Sequence, residues 1–178
     1  MSRRRSTRIL MTTIVATAGL LGAASSASWG QHGHGHEGGH QAAEACSAEF
    51  DKVVGEGRGF GLAFAADQNG YPGPLHVLEL KDRLKLTADQ EAKAQALLHA
   101  MFVESKPKSA RLLEAEAKLR RLFADRAADD AAVRAAVAEV ERARSEVRLV
   151  HLLMHLKTRE LLTEDQRRIY HEARWTPR

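Results

Sequence analysis

Apolar residues recur at intervals of three and four through most of the second half of the chain, the period of helices with one face turned to a core. Leu75, Leu78, Leu84 and Leu86 predict a short helix that breaks at Thr87. Thr87-Ala88-Asp89-Gln90 then reads as a capping box, in which the threonine hydroxyl accepts the backbone N–H three residues on and the glutamine reaches back. A second helix starts there, with Ala94, Leu97, Leu98 and Met101 on one face and His99 flanking it. Pro107 has no N–H to donate, so a bend or a restart is expected between Glu104 and Lys108. Leu112, Ala115, Leu119 and Leu122 carry the stripe to Phe123, and Asp125 to Asp130 offers a turn and an acidic helix start.

The next helix is expected to be the longest. Its Val133, Val137, Val140, Arg144, Val147, His151 and Met154 alternate by fours and threes, the seam spacing of packed helices. Around His151 the chain is apolar on every side, with Leu149, Val150, Leu152, Leu153, Met154 and Leu156. A helix of that kind is covered by more than one neighbour, which predicts a subunit interface or the base of a helical hairpin. Thr163-Glu164-Asp165-Gln166 repeats the capping box, and a last helix runs through Ile169 and Tyr170 to about Arg174.

The first part of the chain has no such period. Arg3, Arg4, Arg5 and Arg8 precede an apolar run from Ile9 to Ala24 and the small residues Ser25 to Ser28, which predicts an export signal over 1–27. That run is short for a membrane span, so the exported chain is expected to be free of the membrane and to reside in the periplasm. Residues 28–73 are rich in His and Gly and read as a flexible tail and linker. Phe50, Val53, Val54, Phe60, Leu62 and Phe64 interrupt it, and they suit a short helix or a segment lying over an apolar groove of the body. Tyr71-Pro72-Gly73-Pro74 stops this segment, and residues 74–174 form the helical domain. With aromatics at 5% and abundant Ala, Leu, Arg and Glu, the fold class is all-α.

Export also rewrites the charge. The chain has 27 Lys plus Arg against 23 Asp plus Glu, and loss of the four leader arginines leaves 23 against 23. The mild basic excess that remains after residue 74 does not form the clustered face that nucleic acid requires. Cys46 is the single cysteine and has no internal partner for a disulfide.

Candidate chemistry lies in the histidines. His32, His34, His36 and His40 fall within nine residues of a glycine-rich stretch and suit weak capture of a borderline metal. His151 and His155 are one helical turn apart, on one side of a helix, and can share an ion. A specific site needs three or four converging ligands. His76, His99, Glu79 or Met154 would have to complete it, and the alternative is a pair of structural histidines with ordinary hydrogen-bond partners. No cofactor is obligatory; Zn, Ni, Co and Cu are the candidate ions.

The two Leu-Thr-x-x-Gln segments, Leu86 to Gln90 and Leu162 to Gln166, in a small exported helical chain resemble the CpxP/Spy family and its relatives ZraP and CnrX. The resemblance covers roughly residues 74–174. It implies a bent antiparallel hairpin of about four to five helices that dimerises into a cradle. It also implies either ATP-independent holding of unfolded envelope proteins or metal sensing with a membrane-bound regulatory partner. In the sensors a late His, with a Met or His one turn away, works with a pair of first-helix histidines; His151 and His155 match the late pair, and His76 is the single first-helix counterpart. An enzyme is not expected: Leu152 stands where a His-Glu-x-x-His helix needs its glutamate, and no nucleophile elbow or phosphate loop is present.

Overall fold

The structure is a computed structural model that describes residues 36–176. The expected export signal, His32 and His34 lie outside the described residues, as do the side chains of His36 and His40. The described chain is all-α, with seven helices and no strand: α1 His36–Gly55, α2 Phe64–Asp67, α3 Pro74–Glu79, α4 Lys81–Leu84, α5 Ala88–Ala124, α6 Asp130–Leu161 and α7 Glu164–Trp175. None of the described helices is long and apolar enough to cross a membrane.

The frame is the antiparallel hairpin of α5 and α6. Both capping boxes form: Thr87 and Thr163 accept the N–H groups of Gln90 and Gln166, whose side chains return to the threonine N–H groups. The two glutamines also bond to each other, Gln90 Nε2 to Gln166 Oε1 at 2.8 Å and Gln166 Nε2 to Gln90 Oε1 at 3.0 Å. Each then donates to a carbonyl at the end of a neighbouring helix, Leu161 and Leu84 respectively. One residue type therefore starts two helices, ends two others and ties them together in a place where unmet polar groups would be costly. At the far end of the hairpin, Asp129 caps α6 through the N–H of Ala132.

Three apolar clusters line the hairpin. Val54 joins Leu112, Ala115, Val140, Ala143 and Val147 towards the α5–α6 turn. Met101, Val150 and Met154 occupy the middle. Val77, Leu84, Ala94, Leu162 and Tyr170 seal the capping-box end. Arg111–Glu146 and Lys118–Glu139 cross between the long helices, but as exposed pairs they set register more than they add stability.

Several expectations are corrected. Residues 36–55, read as flexible, form α1, whose Ala-rich segment has good helix propensity and whose Val54 is fully buried. The first short helix divides into α3 and α4, with Lys85 in the left-handed conformation as the stop. No restart occurs at Pro107: α5 runs through it and, not α6, is the longest helix. Pro107 and Val103, whose carbonyl loses its donor, both lie on the exposed side of the helix, where water can take that bond. The seam of α6 is buried from Val140 onward, whereas Val137 is exposed. The subunit interface or hairpin base expected near His151 is met within the chain on one face, and Leu149, Leu153 and Leu156 on the other are 56%, 42% and 47% exposed in the single chain.

Candidate metal centre

His151 and His155 are both buried on the inner face of α6 and line one cavity of about 430 Å³, with His76, Asp67 and Met101 in its walls. The wall facing the imidazoles comes from the segment between α1 and α3. Gly59 lies against the His151 ring, where an added Cβ would stand 3.0 Å from Cγ, and Gly73 lies against His155, where it would stand 2.8 Å from Nε2. Only glycine permits so close an approach of backbone to ring. Gly57, with φ of +80°, seats the same loop on α5, its carbonyl accepting from Ser105 Oγ at 2.7 Å.

The ring nitrogens are distinguishable. His155 donates from Nδ1 to the Tyr71 carbonyl at 2.6 Å, so its lone pair is on Nε2. An arrangement of this kind fixes the tautomer and orientation of a metal-binding histidine. His151 Nε2 is buried with no hydrogen-bond partner. His76 accepts from Arg174 Nη2 at Nε2, 3.2 Å away, which places its proton on Nδ1, facing Glu79 Oε2 at 3.2 Å. Behind it, the buried Asp67 carboxylate accepts from Arg174 Nε at 2.9 Å and from the Tyr170 hydroxyl, so α7 closes the polar end of the cavity.

Burial, and then the neighbouring His155, lowers the His151 pKa to about 4, with the Gly57 backbone opposing. Burial also lowers that of His155, against the opposing pull of the Tyr71 carbonyl and Asp67. Both imidazoles are therefore neutral at physiological pH and carry available lone pairs. In the metal-free protein an unfolded His titrates near 6.5, so as pH falls from about 6.5 to 4 the unfolded chain takes up protons that the folded chain refuses. The stability His151 contributes, on the order of 3 kcal/mol, is complete above about pH 6.5 and is lost towards pH 4, and His155 adds to it in the same direction. Denaturant unfolding with chelator at about pH 7.5 and 4.5 measures this. His151→Gln, which does not titrate, is expected to shrink the difference, and an unchanged difference would refute the assignment.

The candidate ligands separate into groups. His76, His151 and His155 share the cavity, with Asp67 in the same wall. His99 does not reach it: it is exposed on α5 beside Glu56, Phe102, Val103 and Lys106. Met154 is buried in the middle apolar cluster beside Met101. His36 and His40 fall in the first two turns of α1. Cys46 is exposed on the same helix. Among the described residues no three His, Cys, Asp or Glu side chains stand close enough together to hold an ion. The donor set fits a transition metal in chemistry, with neutral imidazoles and one unpartnered nitrogen, but supplies only part of a coordination sphere. Asp67, Tyr170, Arg174 and the glycines of the wall were not among the sequence candidates; the one signal for them was the run of glycines from 55 to 61.

Comparison with curated proteins and with solved structures finds no match. The sequence model of a family described as heavy-metal resistance matches residues 58–168, which takes in the glycine loop, Asp67, His76 and both buried histidines. That match covers well over half of the chain, and it carries the metal side of the expected functions but not the client-holding side. The chain belongs to the heavy-metal resistance family.

Proposed function

We propose that the protein is an exported, non-catalytic, CpxP/Spy-like metal-binding protein of the periplasm. In this reading His151 and His155, with His76 in the same cavity, take Zn, Ni, Co or Cu for sensing or resistance. The observation that supports it most is the buried, partnerless Nε2 of His151 beside a second imidazole whose proton is fixed on Nδ1. A buried polar atom without a partner is rare and costly, and a metal would relieve that cost. His32, His34, His36 and His40 are proposed as a weaker collecting segment.

Calorimetric titration with Ni(II) tests this on the chain from residue 28 onward in three forms: unchanged, His151→Ala/His155→Ala, and the four tail histidines changed to Ala. Substitution is required in place of truncation, because the segment before Tyr71 contains Val54, Gly59 and Asp67. The tight phase should survive the tail changes and weaken at least about a hundredfold in the double variant, since outer-shell changes alone cost about 10–100-fold. Binding confined to the tail would overturn the reading.

A homodimer covering Leu149, Leu153 and Leu156 belongs to the same proposal, because this exposed α6 face is the apolar one the hairpin leaves unused. Sedimentation should show a dimer that Leu153→Glu dissociates; a monomer in both cases would contradict it. Holding of unfolded clients would draw on the same leucines, and the family match lends it no support.

A further inference from the structure

Resting on the metal reading above, we infer that a small carboxylate-bearing chelator enters the cavity with the metal and completes its coordination. Two features point there. Among the described residues no third His, Cys, Asp or Glu side chain stands close enough to the two histidines to finish a coordination sphere. His76, in the wall of the same cavity, already has its Nε2 engaged by Arg174. The cavity, at about 430 Å³, is also of a size that suits an organic ligand.

The mouth of the cavity has the matching chemistry. Phe60 and Phe64 are 42% and 52% exposed there, and Phe64 meets Trp175 edge to face at 5.3 Å. Phe60 is held at a φ of +37°, in the left-handed region, between two glycines and against the Phe50 ring. Arg58 lines the same cavity, half exposed, and is held by an exposed ion pair with Glu56 at 3.6 Å, which an incoming carboxylate can replace. An arginine fork beside apolar ring edges suits a carboxylate on a small organic body. The two imidazoles then supply the inner donors, and the chelator's own nitrogen or oxygen atoms fill the remaining positions.

Native mass spectrometry and calorimetry on the chain from residue 28 onward test this with Ni(II) alone, with Ni(II) plus L-histidine, and with Ni(II) plus citrate. A protein–nickel–chelator species at one to one to one is expected with at least one chelator. Arg58→Ala should reduce that species at least tenfold while leaving binding of Ni(II) alone within about twofold, and His151→Ala/His155→Ala should abolish it. If either chelator merely strips nickel from the protein and no ternary species forms, the inference is overturned and the metal reading stands. If Ni(II) fails to bind at the buried histidines in every arm, both fall. A ternary species indifferent to Arg58→Ala overturns the assigned mouth.

Discussion

An Asp67→Ala variant is expected to lose about 3 kcal/mol of unfolding free energy. Asp67 is 5% exposed and accepts from the fully buried Tyr170 hydroxyl and from Arg174 Nε at 2.9 Å. Burial, then the hydrogen bond to Asp67, holds the Tyr170 phenol far above the usual tyrosine range, so it stays a neutral donor. Removing the acceptor strands that hydroxyl, at about 1–3 kcal/mol, and leaves Arg174 without its counter-charge. Broken buried ion pairs cost about 3–5 kcal/mol; the Arg174 side chain is 31% exposed, and water offsets part of that, which sets the lower figure. Asp67→Asn keeps an acceptor for Tyr170 and should lose less. The damage should centre on α7 and the polar end of the cavity, leaving the α5–α6 hairpin folded. Denaturant unfolding followed by hydrogen exchange reads both; a loss below about 1 kcal/mol would contradict the role given to this carboxylate.

The second large effect concerns two hydrogen atoms. Gly73→Ala places a methyl 2.8 Å from His155 Nε2, and Gly59→Ala places one 3.0 Å from the His151 ring. Neither imidazole is the free end of a flexible side chain: His155 is tied to the Tyr71 carbonyl and His151 is packed in the hairpin. The rings must shift, costing about 1–3 kcal/mol of stability, as overpacking does. Metal affinity at the cavity should fall by roughly tenfold or more, as it does when the groups that orient a ligand are disturbed. Gly39→Ala is the control, since nothing lies within 4 Å of its added Cβ. Equal affinities in all three variants would mean that the imidazoles are not the ligands.

What was legible in the sequence was local. The period of Val140, Val147, His151 and Met154 predicted the buried face of α6, and the two threonine–glutamine boxes predicted the starts of α5 and α7. Both rest on neighbours three or four residues away, where side-chain spacing and backbone geometry are directly coupled. The meeting of Gln90 with Gln166 was not legible, because nothing local says that two helix starts will pack together. Asp67, Tyr170 and Arg174 escaped for the same reason, being about a hundred residues apart in the chain. The glycines of 55–70 were read as part of an irregular linker and Gly73 as part of the stop before the helical domain, whereas Gly59 and Gly73 lie in close contact with the imidazoles. His99 stood beside His76 among the candidate ligands, but tertiary packing leaves it on an exposed face of α5, outside the cavity that His76 lines. The apolar surround of His151 is covered within the chain on one side only: Leu149, Leu153 and Leu156 lie on the far side of α6, exposed in the single chain.

The two buried imidazoles of α6 are proposed to bind a metal ion through Nε2. Anomalous diffraction from crystals loaded with Zn(II) or Ni(II) tests it most directly. A peak is expected inside the cavity, about 2.0–2.1 Å from both Nε2 atoms, after a small movement of the rings. A peak only on the amino-terminal histidines or at exposed His99, with His151 Nε2 still unpartnered, would contradict it.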